Sequence, residues 1–387
     1  DVLAALDTPD KLVRKLFFGP ADMTDRNHTI IIAEAGVNHN GNLDLALELV
    51  DHAAEAGADF VKFQTFKANN VASGEAKKAD YQKKATDAAE SQLEMLRRLE
   101  LTPEAHRVLV KHCDKRGIAF LSTAFDLESL AFLAGDLGMK ILKLGSGELT
   151  NGPILLAAAR SKMELMISTG MGSLSEVEEA LGVIAFGLMR EGAPAGRADF
   201  AEVLLHPAAW EALRERVTLL HCTTDYPAAV SDTNLRAIDT MRQAFGLRMG
   251  YSDHTEGNAM SIAAVARGAT VIEKHFTLDR TMEGPDHAAS LEPRELAQLV
   301  REIRAVEVGL GDGIKRPGVA EVRNRSIARK CIVAARDIPS GHVFTEDDLT
   351  TKRAGGSIPA VALWDCLGRR AKRHLTEDAA LNWDSMT

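Results

Sequence analysis

The stretch Thr29-Ile-Ile-Ile-Ala33-Glu34-Ala-Gly-Val-Asn38-His39-Asn40-Gly41, continued through Gly57 to Phe60-Val-Lys62-Phe63, reads as one complete strand–helix–strand unit. A β-branched run comes first, and a polar turn follows it. Ala46, Leu49, Val50, Ala53 and Ala54 then recur at three- and four-residue spacing, the signature of a helix with one apolar face. Gly57 stops that helix, because glycine enters a left-handed cap at little cost, and the next apolar run begins at Phe60. The alternation recurs: apolar runs occupy Thr29–Ala33, Phe60–Phe63, Ile118–Leu121, Ile141–Leu144, Leu165–Ile167, Val217–Leu220, Leu247–Tyr251 and Thr270–Ile272. Eight short strands separated mostly by helical stretches predict an α/β chain closed into a (β/α)8 barrel, with strands buried on both faces.

Composition agrees with a large soluble enzyme. The chain has 387 residues and is 45% hydrophobic, enough for one large domain and a smaller one. No run reaches the length of a membrane span and the first ten residues lack the order of a signal peptide, so a cytoplasmic protein is expected. Cys113, Cys222, Cys331 and Cys366 have no paired spacing, which predicts buried free thiols rather than disulfides or a structural zinc site. A formal charge of −9 argues against a nucleic-acid surface but leaves room for a local basic pocket.

Polar residues cluster just after the apolar runs, where a barrel's strand ends converge on one mouth. His254 and His275 end consecutive strands and, if those strands are neighbours, form a pair of imidazoles suited to a divalent transition metal. Lys62 and Lys143, with Gln64, Thr123 and Ser146, suit a phosphate or carboxylate; alternatively each lysine neutralises a nearby glutamate. Glu34 and Glu148 are acid/base candidates, and Asp286 stands in the loop after the eighth strand. Ser168, Ser252 and Glu273 lie at other strand ends.

In order, the runs Ile32-Ala-Glu34-Ala-Gly-Val-Asn38-His39-Asn40-Gly41, Lys62-Phe-Gln64-Thr, Lys143-Leu-Gly-Ser146-Gly-Glu148, Ser168-Thr-Gly-Met, Ser252-Asp-His254-Thr, Glu273-Lys-His275-Phe-Thr and Gly284-Pro-Asp286 resemble the sialic acid synthase family. That family includes N-acetylneuraminate, legionaminate, pseudaminate and spore-coat polysaccharide synthases. The resemblance spans roughly residues 30 to 385 and implies a TIM barrel. It also implies condensation of phosphoenolpyruvate with an N-acetylated sugar aldehyde and water, releasing phosphate and giving a nine-carbon 2-keto sugar acid. By the same resemblance His254 and His275 hold Mn²⁺, with Mg²⁺ or Co²⁺ as alternatives. Lys62, Gln64, Thr123, Lys143, Ser146, Ser168 and Ser252 are expected around phosphoenolpyruvate, and Tyr226 and Glu273 near the sugar. Glu34, Glu148 and Asp286 match acidic positions tied to water, proton transfer or substrate.

The tail, from Ser326 through Ile338-Pro-Ser-Gly to Lys352-Arg353-Ala354-Gly355, resembles the small antifreeze-like SAF domain, a β-clip fold, that closes these synthases. In relatives it reaches the partner's barrel in a swapped homodimer, with an arginine matching Arg353 at the sugar. The expected organisation is an extension at 1–28, a barrel at 29–314 with an insertion at 186–216, a linker at 315–325 and the SAF domain at 326–387. The extension is read as an extra helix over the barrel base or an interface, and the insertion as part of the face opposite the mouth. Thr223-Thr224-Asp225-Tyr226-Pro227 resembles legionaminate-type members, so the sugar lies between N-acetylmannosamine and 2,4-diacetamido-2,4,6-trideoxymannose, leaning to the latter. A metal-dependent pyruvate aldolase, releasing no phosphate, and a non-catalytic carbohydrate-binding protein are the competing readings. Enzymes that condense phosphoenolpyruvate with phosphorylated sugars would need a second basic site at the mouth, which the sequence does not reveal.

Overall fold

Strand β1 (Ile30–Gly36) pairs in parallel with β2 (Phe60–Thr65) on one side and with β8 (Val271–His275) on the other, and that second pairing closes the sheet. The computed structural model describes residues 28–87 and 89–387; the helix expected within the extension lies outside the described residues. Between β2 and β8 the barrel runs in chain order through β3 (Ala119–Ala124), β4 (Ile141–Leu144), β5 (Glu164–Ser168), β6 (Val217–Cys222) and β7 (Arg248–Asp253), as the eight-strand reading expects. Asn42 caps the first helix, α1 (Leu43–Ala56), by accepting from the Asp44 and Leu45 amides, and Gly57 ends it at a φ of 81°.

Period-two alternation sorts each strand into two faces. Ile31, Ala33, Val61, Phe63, Leu142, Leu144, Leu165, Ile167, Leu219, Met249 and Ile272 pack outward in the large core shared with the helices. Ile30, Ile32, Phe60, Leu121, Ile141, Met166, Leu220 and Val271 form a separate apolar layer inside the barrel. Gly250 lies beside that layer: a Cβ there would fall 2.3 Å from the Leu220 side chain and 2.8 Å from Val271. Continuing the alternation upward, the next inward positions are Glu34, Lys62, Thr123, Lys143, Ser168, Ser252 and Glu273. The barrel therefore has an apolar plug with a polar layer above it.

Several strands run further than their apolar signal. β3 reaches Ala124, β7 Asp253 and β8 His275, because the ladder continues after the inward side chains turn polar. The 186–216 segment finishes the helix Leu174–Met189 and adds Arg197–Val203 and Pro207–Arg216, which leads directly into β6. Phe186 meets Phe200 edge-on at 5.6 Å and Trp210 stacks on Phe245 at 6.5 Å, so this segment is packed into the barrel's helical shell.

The chain divides into two compact units, the second being Asp312–Thr387. That unit has its own core, including Ile332, Ile338, Phe344, Ile358, Leu375 and Leu381, around the antiparallel pair β9 (Cys331–Ala334) and β10 (Leu349–Lys352). Buried Asp348 ties it together, accepting from Arg336 and Thr345 and meeting His342 at 2.8 Å. Among the described residues no helix is long and apolar enough to cross a membrane.

Candidate active site

Strand register brings the charged groups of the polar layer into contact. Glu34 stands beside Lys62 across β1 and β2, and beside His275 across β1 and β8. Thr123 pairs with Lys143, and Ser252 with Glu273. Lys62 Nζ lies 2.6 Å from Glu34 Oε2 and 3.5 Å from Glu273 Oε2, and donates to Thr123 Oγ1 at 2.9 Å. Lys143 Nζ and Ser252 Oγ both donate to Glu273 Oε1, at 3.1 and 2.7 Å. Gln64 donates to the other Glu34 oxygen at 3.3 Å. Both lysines thus neutralise glutamates, the second of the two roles the sequence leaves open.

Burial decides which groups keep their charge. It opposes ionisation of Glu273, yet Lys143 and Lys62 outweigh it and hold that carboxyl well below the usual range. Burial pushes Glu34 up against the pull of Lys62, with Glu273 adding to the rise. It also pulls Lys143 down, whereas for Lys62 the glutamates more than compensate. Asp286 is pushed up to about 7 by burial and by Glu34. The layer therefore contains one firmly ionised carboxylate, Glu273, and two carboxyls, Glu34 and Asp286, that burial shifts upward.

His254 and His275 sit with ring centroids 5.7 Å apart. The His254 Nδ1 donates to the Thr223 carbonyl at 2.6 Å; since a carbonyl only accepts, the proton sits on Nδ1, and the unprotonated Nε2 lies 3.2 Å from Ser252 Oγ. Burial lowers His254 to about 4, and burial together with His254 holds His275 well below its ordinary value, so both rings are neutral. The His275 Nδ1 is buried with no hydrogen-bond partner among the described residues, 3.9 Å from the Asp286 carboxyl. Two neutral imidazoles with a carboxyl nearby fit a divalent transition metal as a donor set. Among the described residues no group of three or more His, Cys, Asp or Glu side chains forms a preformed metal cage.

The remaining candidates divide. Tyr226 packs over both rings, 4.2 Å from His254 and 5.6 Å from His275. Ser146 Oγ accepts from the Gly170 amide at 3.1 Å and contacts the Cys222 thiol at 3.1 Å, a neighbour that the scattered cysteine pattern did not suggest. Ser168 is buried at the inward end of β5. Glu273, expected at the sugar, stands between the two lysines. Glu148 lies in a single turn after β4, where Asn151 donates to it at 2.5 Å; burial raises its pKa, and among the described residues no hydrogen bond or ion pair joins it to the lysine–glutamate cluster. Arg353 is exposed just after β10. Asn38 is a residue the role assignments missed, although it sits in the quoted first motif: its amide donates to the Phe276 carbonyl and to Ser290 Oγ, and Ser290 in turn donates to the Asp286 carbonyl, fixing that loop.

A closed (β/α)8 barrel whose strand ends gather buried lysine–glutamate pairs and neutral imidazoles at one mouth has the form of an enzyme of the barrel class. The chain belongs to the NeuB family, whose pattern matches residues 49–315, and residues 329–386 match the SAF domain. It is 50% identical over 350 residues to an N,N'-diacetyllegionaminic acid synthase of Campylobacter jejuni, covering 90% of this chain and 98% of that protein. A second N,N'-diacetyllegionaminic acid synthase, of Legionella pneumophila, is 42% identical, with 92% and 93% covered. Among solved structures, a sialic acid synthetase of Leptospira borgpetersenii in complex with citrate superposes with a TM-score of 0.61 at 33% identity, over 78% of this chain and 91% of that one.

Proposed function

We propose that this chain is an N,N'-diacetyllegionaminic acid synthase, joining phosphoenolpyruvate, 2,4-diacetamido-2,4,6-trideoxymannose and water to give the nine-carbon 2-keto acid and phosphate. The observation that carries the reaction class is the buried Lys62–Glu273–Lys143 array beside two neutral imidazoles. The branch is supported by the 50% and 42% identity to two legionaminate synthases, against 33% to the sialate enzyme.

In this reading the phosphate and carboxylate of phosphoenolpyruvate take over the ammonium contacts that Glu34 and Glu273 make in the unliganded site. Gln64, Thr123, Ser146, Ser168 and Ser252 supply neutral donors around them. Glu34, raised by burial, takes the proton of the water that adds at C2, and phosphate leaves by C–O cleavage. Tyr226 covers the sugar end. A divalent ion held by His254 and His275, Mn²⁺ first with Mg²⁺ or Co²⁺ as alternatives, would polarise the aldehyde so that its carbon accepts C3 of the enol. Arg353 is assigned to the sugar site of a partner subunit in a homodimer, and Glu148 to an outer acidic position.

The test is direct: protein, Mn²⁺ and phosphoenolpyruvate are incubated separately with N-acetylmannosamine and with the diacetamido sugar, and phosphate and product mass are measured. Phosphate release dependent on the diacetamido sugar is expected. Preference for N-acetylmannosamine would overturn the branch; carbon–carbon bond formation from pyruvate without phosphate would overturn the class.

A further inference from the structure

We propose that the amino-terminal end of the barrel, opposite the mouth, binds a multiply phosphorylated small molecule. Beneath the apolar plug the strand starts surround a cavity of about 1230 Å³. Six cationic side chains line it against two carboxylates, Glu164 and Glu215, in a chain whose overall formal charge is −9. This local excess runs against the global sign, so it is not a sample of the average surface.

Two of the six are paired: Arg242 donates to Asp239 at 3.0 Å, and Arg248 to Glu164, itself on the cavity wall, at 3.4 Å. Among the described residues Lys140, Lys162 and Arg214 have no ion-pair partner. Arg216 donates to the backbone carbonyl of Lys162, a non-glycine residue held at a left-handed φ of 61°. That bond ties the turn presenting Lys162 to the helix end presenting Arg214, so the cations come as a built set.

A second observation is independent of charge. Thr218, on the cavity wall and 1% exposed, has a hydroxyl with no hydrogen-bond partner among the described residues. Buried hydroxyls are normally satisfied, and this one would gain a partner as the wall adjusts around a guest oxygen. Arg214 and Arg216 at a helix carboxyl end also complement the helix dipole, but that accounts for neither the two lysines nor the orphaned hydroxyl. Cations spread over so large a space suit a chain of phosphates better than one phosphate. The plug of Ile30, Phe60, Met166 and Leu220 separates this site from the catalytic layer.

Calorimetric titration of the full chain with inorganic tripolyphosphate, without divalent ions, tests the proposal. Binding is expected to weaken roughly ten-fold or more in Lys162→Glu/Arg214→Glu and several-fold in Thr218→Val. The control Lys111→Glu/Arg301→Glu makes the same change in net charge on outer helices and should stay within about two-fold of wild type. Absence of binding, equal affinity in the basal double variant, or equal weakening in the control would each overturn it. Both substituted basal cations are exposed, so thermal melting should match wild type and keep the comparison valid.

Discussion

Lys62 holds its ammonium 2.6 Å from the Glu34 carboxylate, with both side chains almost wholly removed from water. Neither group would tolerate that burial alone, and each makes the other's presence at the mouth affordable. Under the proposed function an arriving anion would meet a cation already in place and take over the contact Glu34 makes.

Glu273 serves both lysines, so Glu273→Gln should cost more stability than Glu34→Gln. Loss of about 3 kcal/mol or more is expected, from leaving Lys143 and part of Lys62 uncompensated. Urea denaturation measures it, and Lys143→Met combined with Glu273→Gln should recover part of the loss. A double variant less stable than the sum of the singles would contradict the pairing.

Glu34→Gln should lower turnover by roughly a hundred-fold or more while the fold persists, since the amide cannot accept a proton from water. Phosphate release at saturating substrates is the readout. Near-normal turnover would move the base elsewhere, with Glu148 the next candidate.

His275→Ala should reduce Mn²⁺ affinity roughly a hundred-fold, measured by calorimetry on chelated protein, with little change in melting temperature. No hydrogen bond to its Nδ1 is lost among the described residues, because none is made there. His254→Ala should weaken binding similarly but also orphan the Thr223 carbonyl, so a small drop in melting temperature is expected.

Acid should destabilise the fold through buried neutral histidines. Burial holds His39 at about 3 and His287 at about 4, whereas unfolded histidine titrates near ~6.5. The proton is thus taken up first by the unfolded chain. Stability from these groups is complete above pH ~6.5 and falls as pH drops towards 4, by up to about 1.4 kcal/mol per pH unit for each. His39→Gln should flatten that slope between pH 6.5 and 4 in urea titrations; an unchanged slope would remove His39 from the account.

Arg353→Ala should raise KM for the sugar roughly ten-fold and leave KM for phosphoenolpyruvate unchanged. Equal effects on both substrates, or none, would separate Arg353 from the sugar site.

Much of this was legible in the chain. Apolar runs with helical spacers predict eight strands, and Lys62 and Gln64, two residues apart on one strand, point the same way. Strand ends were less legible: beyond Leu121, Tyr251 and Ile272 the inward side chains turn polar, so the hydrophobic signal stops while the backbone ladder continues. Asn38 was visible only as part of a motif, because its task is to hold Phe276 and Ser290, both distant in sequence.

By itself the sequence determined the barrel, the alternation that stacks a polar layer on an apolar plug, and the residue types available to that layer, since these follow from local periodicity. Only the tertiary structure decided that Glu273 serves Lys62 and Lys143 together, that His254 is pinned by the Thr223 carbonyl, and that cations from four separate segments ring one basal cavity. Those relationships join residues far apart in the chain, and closure of β1 against β8 with a single register is what sets their distances.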